Sequence, residues 1–188
     1  DEDKLCFSAV FIMDEKAAIK ESWFGRTVIR SQRRFTYEQA QQVIETGEGD
    51  FAPEVIELTK LARHLRKQKF ANGAIAFETT ELRFKLDKTG KPLAIVPKER
   101  KEAHMLIEDF MLLANKKVAA FISGIKKENK NLLFPYRVHD IPDMDKLKEF
   151  SAIAFRFGYR MKFDNPKEVS KTLNKFMKEI KGKPEQDI

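Results

Sequence analysis

The stretch EAHMLIEDFMLLANKKVAAFI, residues 102 to 122, is apolar almost all the way round when read as a helix, yet it carries His104, Glu108 and Asn115. At about 100° per residue these three fall within a sector of roughly 40°, between two apolar faces. An isolated carboxylate against pure hydrocarbon is costly, so such a stripe is either a solvated strip beside Lys101 or the lining of a cavity or channel. His104 and Glu108, at i and i+4, also have the spacing of a metal pair or an acid/base dyad, but no third ligand accompanies them. A second stretch, RSQRRFTY, sets Arg30, Arg33 and Arg34 beside Phe35 and Tyr37. Guanidinium groups reach phosphates and exposed aromatic rings stack on bases, the combination that single-strand binding uses. Of the two neighbouring aromatics, Phe35 is assigned to the core and Tyr37 to the surface. Phe77 in GAIAF is open to the same two readings, a core aromatic of a strand or a stacking ring. The acidic cluster Asp140, Asp143 and Asp145 in DIPDMD stands where a helix begins, and Asp143 reads as its N-cap.

These residues sit in a chain of 188, enough for one domain with a sizeable core or for two small ones. Its apolar runs fall far short of the roughly 20 residues that a membrane span needs. The net charge of +7 favours an anionic partner, nucleic acid first and an anionic membrane surface second. The basic face of Lys60, Arg63, Arg66, Lys67 and Lys69 reads by itself as a solvated helix surface. Cys6, the single cysteine, rules out an internal disulfide or a thiolate zinc cluster and fits a reducing compartment, so the cytoplasm is the expected location. The opening DEDKLCF has no initiator Met, basic start or apolar signal core; the expectation is a chain that begins inside a longer protein, without a secretory or transit peptide.

The elements that must position these groups follow from periodicity. LCFSAVFIM and WFGRTVIR, rich in β-branched and aromatic residues, read as two antiparallel strands. FTYEQAQQVIET is a helix capped by Thr36 and stopped at Gly47. A second helix starts at Pro53 and turns Val55, Leu58, Leu61, Ala62 and Leu65 to one face. Residues 72 to 97 return to a period of two, a meander of Ile75 and Phe77, then Leu82, Phe84 and Leu86, then Leu93, Ile95 and Val96 about a turn at KTGKP. The long helix is expected over residues 99 to 126, with Ala103, Ile107, Phe110, Ala114, Val118 and Phe121 as its main core face. LFPYRVHD is a candidate strand. A helix opens at Asp143, with Leu147, Phe150, Ile153 and Ala154 inward and Gly158 as its stop. The last helix is apolar at Val169, Leu173, Phe176 and Ile180. The fold class is α+β, antiparallel strands with a long central helix and further amphipathic helices, without repeats or a linker that marks a boundary.

The phrases RRFTYEQAQQVI, GAIAFETTELRFKLDKTGKPLAIVPKER, AHMLIEDFMLLANKKVAAFI and YRVHDIPDMDKLKEF resemble the central part of the ribonuclease II/R family, the RNB-type 3′ to 5′ exoribonucleases, and the ribonuclease R branch more than ribonuclease II. The resemblance covers essentially the whole chain. It implies an enzyme in which single-stranded RNA threads a basic channel to magnesium-bound carboxylates that hydrolyse the terminal phosphodiester. By motif, Tyr37 corresponds to the tyrosine that contacts the terminal nucleotide, Phe77 to the aromatic that clamps the stacked 3′ bases, and Glu108 to the acid that hydrogen-bonds a ribose 2′-OH. Arg33 and Arg34 are candidate RNA contacts, Asn115 a backbone support, and His104 has no assigned role. The family's aspartate segment lies upstream of the matched region and its TSPIRRY segment downstream, so residues 1 to 188 are expected to be a partial catalytic domain. No catalytic residue, metal ligand or cofactor is then expected in this chain, with magnesium belonging to the longer enzyme. The alternative is a non-catalytic single-stranded RNA-binding module, or a structural remnant.

Overall fold

The computed structural model describes residues 2–76, 82–97, 99–127, 130–138, 140, 142–163 and 168–187. They divide into two compact units, each assembled from two separated stretches of chain: Asp1–Gln68 with Glu99–Tyr136, and Lys69–Lys98 with Arg137–Ile188.

The first unit opens with a long antiparallel hairpin, β1 (Asp3–Met13) on β2 (Ile19–Arg30), with one irregularity in register at Ile12/Met13. Asp14 closes its turn. Its Oδ1 accepts from the N–H groups of Lys16 (3.0 Å) and Ala18 (2.9 Å), and its Oδ2 meets Lys20 Nζ at 2.8 Å. The bond from the Lys20 ammonium, followed by that from the Ala18 amide, lowers the Asp14 carboxyl to about 2. α1 (Tyr37–Thr46) begins with a closed capping box: Gln39 N–H donates to Thr36 Oγ1 (3.2 Å) and Thr36 N–H to Gln39 Oε1 (3.0 Å). Gly47, left-handed at φ 76°, ends it.

α2 (Ala52–Ala71) and α3 (Glu102–Gly124) are tied by charge. Arg66 Nε donates to Asp109 Oδ2 (2.8 Å) and its Nη1 to Glu102 Oε1 (3.2 Å), which also accepts from Arg63 Nε (3.1 Å). This pairing corrects two expectations. Arg66, read as part of a solvated basic face, has a side chain only 18% exposed. The buried residues of α3 are Ala103, Leu106 and Asp109, while Ile107 and Phe121, expected in the core, are each 43% exposed. Apolar periodicity assigns a carboxylate to the solvent side; a cation arriving from another helix turns that face inward. The helix is also shorter than expected, over 102–124 rather than 99–126. At its far end Phe121 stacks on Phe24 of β2, centroids 4.6 Å apart.

The second unit holds a short hairpin, β3 (Leu82–Leu86) on β4 (Pro92–Pro97), with Phe84 opposite Ile95. Here Asp87 closes the turn: its Oδ1 accepts from the Thr89 hydroxyl (2.7 Å) and from the N–H groups of Thr89 (2.8 Å) and Lys91 (2.9 Å). These bonds, the hydroxyl's first, hold its carboxyl below the usual range. Two minimal strands, β5 (Lys126–Lys127) and β6 (Lys130–Asn131), pair at the end of the first unit. α4 (Met144–Arg156) is capped by Asp143, whose Oδ1 accepts from the N–H groups of Asp145 (2.9 Å) and Lys146 (3.3 Å). α5 (Val169–Ile180) buries Val169, Leu173, Phe176 and Ile180, as its apolar pattern requires, against Ala154, Met161 and Phe163.

Three local expectations fail here. The LFPYRVHD stretch is not a strand at residues 133–138: Pro135 has no N–H to donate, and Tyr136 and Val138 stand 48% and 80% exposed without a pairing edge. Ile75 and Ala76 do not begin a strand; Asn174 of α5 takes the backbone groups on either side of Ile75, Ala74 O and Ala76 N–H. Ile153 is 50% exposed, since Ala154 fills the inward position beside it. Among the described residues no helix is long and apolar enough to cross a membrane.

Candidate functional site

Tyr37 is the first residue of α1, and the Thr36 capping box fixes the backbone that carries it. Its side chain stands 46% exposed. One face of the ring lies on the imidazole of His104, centroids 4.1 Å apart and planes 13° from parallel. His104 belongs to the first turn of α3, where its Nδ1 accepts from Lys101 N–H at 3.3 Å. Lys101 has no side-chain acceptor to offer in return, so only this half of a capping box can form. The adjacent orphan donor, Ala103 N–H, is taken by Gln41 Oε1 at 2.9 Å, one turn beyond Tyr37 on α1. Two side-chain contacts therefore join the starts of α1 and α3.

One turn further along α3 stands Glu108, half-buried and paired with Arg100. Tyr37 thus lies on His104, and Glu108 stands one helical turn beyond that imidazole on α3. Asn115, two turns on, is exposed. The sequence pointed to Tyr37 and Glu108 separately and left His104 without a role; the structure stacks His104 on Tyr37. The helical spacing of His104 and Glu108 was visible, but nothing local marks a ring 67 positions upstream as the partner of His104.

Beside Tyr37 is an open apolar cavity of about 500 Å³ bordered by Phe35, Phe51, Val55, Leu58 and Ile107, with Glu54 as its one charged lining residue. Phe51 holds a left-handed conformation at φ 53°, a strained choice for an aromatic residue. Phe35 is half-buried beneath the Arg33 guanidinium, 5.2 Å from its ring centroid. Arg33 Nε also meets Asp50 at 3.2 Å, whereas Arg34 is exposed and forms no ion pair among the described residues. Arg30 pairs with Asp3 at 2.7 Å, so two of the three arginines of RSQRRFTY already have carboxylate partners within the chain.

Phe77 lies outside the described residues. The segment leading to it is held in the second unit by Asn174, whose Oδ1 accepts from Ala76 N–H and whose Nδ2 donates to Ala74 O, both at 2.8 Å.

Magnesium demands near-octahedral oxygen donors, usually converging carboxylates and water. Among the described residues no three His, Cys, Asp or Glu side chains come together as a possible ion site. Asp143 is spent on the α4 cap and Asp145 pairs with Lys148 at 2.9 Å. The described residues do not fit the metal.

The RNB domain model matches residues 1–188. The chain belongs to the RNB domain family. This RNB chain is 33% identical over its full length to ribonuclease R of Aquifex aeolicus, of which it covers 27%. It is 34% identical, over 96% of its length, to DIS3-like exonuclease 2 of Schizosaccharomyces pombe, of which it covers 20%. Identity to the two is thus nearly equal. The RNB chain spans about a quarter of the length of these curated relatives. Its fold matches Mycoplasma genitalium RNase R in complex with ribose methylated single-stranded RNA, with a TM-score of 0.82 over 98% of this chain and 29% of that one, at 22% identity.

Proposed function

We propose that this chain is the strand-holding part of a 3′ to 5′ exoribonuclease that degrades single-stranded RNA, and that it binds and orients RNA without cleaving it. The observation that carries the reading is the RNB match over the whole chain; Tyr37, His104 and Glu108 lend it chemistry. The open part of the Tyr37 ring takes the terminal base by stacking, worth about 1 to 3 kcal/mol per base. Glu108, oriented by Arg100, accepts a hydrogen bond from a ribose 2′-OH, the group that tells RNA from DNA. Arg34, and Arg33 once it exchanges Asp50 for a phosphate, neutralise the backbone. Phe77 is proposed as a second stacking ring. Hydrolysis belongs to the longer enzyme, whose magnesium and catalytic carboxylates come from segments other than these residues. The free thiol of Cys6 is consistent with a reducing, cytoplasmic setting.

The test is incubation of the purified chain with end-labelled single-stranded RNA and magnesium or manganese. The expected outcome is salt-sensitive binding without shortening. Processive loss of nucleotides from the 3′ end, abolished by a chelator and absent from a mock purification, would refute the claim of inactivity. A non-catalytic RNA-binding module is separated from an exoribonuclease part by the surrounding reading frame: an aspartate segment encoded upstream and TSPIRRY downstream belong to the enzyme.

A further inference from the structure

We propose that His104 is a positioning residue, which holds the Tyr37 ring in the orientation where a nucleobase of single-stranded RNA stacks on it; this rests on the reading of Tyr37 as a base platform. Tyr37 begins a helix at the surface, and a phenol there is free to turn unless something fixes it. The imidazole of His104 lies against it at 4.1 Å and 13° from parallel. The exposed part of the ring is then the remaining face and the rim. A ring already held in its binding orientation loses less freedom when a base arrives, so the stack gains affinity without any contact between His104 and RNA.

His104 is itself anchored. Its Nδ1 accepts from Lys101 N–H, which in the neutral imidazole leaves the proton on Nε2 and sets the plane of the ring. The backbone around it is fixed by Gln41 on Ala103 and by Arg63 and Arg66 on Glu102. The first turn of α3 therefore comes to α1 with the imidazole aimed at Tyr37. A purely structural role for His104, capping α3, uses a different atom from the one the stack uses. The cap needs the Nδ1 acceptor; the stack needs the ring plane.

Two substitutions pull these roles apart. His104→Asn keeps an oxygen acceptor within reach of Lys101 N–H and removes the ring, and His104→Phe keeps a ring and removes the acceptor. Affinity of the purified chain for a single-stranded oligoribonucleotide at low salt is the measurement, with the NMR shifts of the Tyr37 ring protons in the free chain as a second readout. The expected result is binding about three- to tenfold weaker for His104→Asn, most of it restored by His104→Phe, with the upfield displacement of the Tyr37 ring protons following the same order. Near-normal binding by His104→Asn, or an equal loss in both variants, overturns the proposal, because His104 would then act only through the stability of α3. Tyr37→Ala distinguishes that failure from a deeper one. If Tyr37→Ala weakens binding and His104→Asn does not, His104 alone is misread; if Tyr37→Ala binds as the unaltered chain does, or the unaltered chain binds no RNA, the platform itself is wrong and the proposal goes with it.

Discussion

Asp109 carries its charge at 4% exposure, and Arg66 answers it with one arm of the guanidinium while another reaches Glu102. The third, Nη2, is buried without a hydrogen-bond partner among the described residues. Breaking a buried pair by removing one charge is far costlier than never having built it, because the surviving ion stays desolvated. Asp109→Asn should therefore lower stability by about 3 kcal/mol, at the mild end of the range because Glu102 still holds Arg66. Urea unfolding checks this, and a change below about 0.5 kcal/mol would mean that the pair is solvated in solution. Glu108, one position earlier, faces the opposite demand under the proposed function, in which its carboxylate is offered to a ligand. Glu108→Ala should narrow the preference for RNA over DNA of the same sequence about tenfold, the scale of one hydrogen bond to a charged group. Parallel titrations with the two strands measure the ratio, and an unchanged ratio in a folded variant removes the 2′-OH role from Glu108.

The β1–β2 and β3–β4 hairpins are each closed by an aspartate that gathers the N–H groups of its own turn, and the two turns differ at the left-handed position: Gly90 at φ 87° in the second, Ala17 at φ 60° in the first. Because the folded carboxyl of Asp14 is depressed, its contribution is fully present above the ordinary carboxylate value of 3.8 and fades as the pH falls towards about 2. Amide exchange at Lys16 and Ala18 should accelerate through that window, and Asp14→Asn should abolish the dependence. Turn chemistry of this kind is local, as are the Thr36 cap, the Asp143 cap and the four-residue stripe of α5, and the last three were legible in the sequence because neighbours in the chain decide them. The buried face of α3 was not. It depends on Arg66 meeting Asp109, 43 positions away, and no hydrophobic pattern records a charge that is answered from another element. The failed strand at residues 133–138 is the converse case, since β-branched and aromatic content describes what a strand tolerates and Pro135 decides whether it can pair.

At the scale of the whole molecule, the outer part of the first hairpin leaves Leu5 89% and Phe7 82% exposed, with Val28 opposite Leu5 and Arg26 over the Phe7 ring. Adjacent apolar side chains on a two-stranded ribbon invite association between copies at high concentration. Light scattering of the purified chain should show particle size rising with concentration, and Leu5→Lys should reduce the rise while leaving the helix content seen by circular dichroism intact. A flat concentration series for the unaltered chain would argue that the Arg26 cation shields the ribbon sufficiently. The fold class was legible at this scale, but the division into two units was not, because it follows from returns of the chain rather than from any linker. Each unit takes one stretch from the first half and another from the second, in alternation. That alternation has a consequence for synthesis on the ribosome. Residues 74 to 76 leave the exit tunnel about a hundred residues before Asn174, the side chain that receives their backbone groups. The first unit is likewise incomplete until α3 has emerged, by which time the opening of the second is already outside and unpartnered. Neither unit can finish folding as an uninterrupted segment, so the nascent chain must carry half of each at once, a state in which chaperone binding has most to protect.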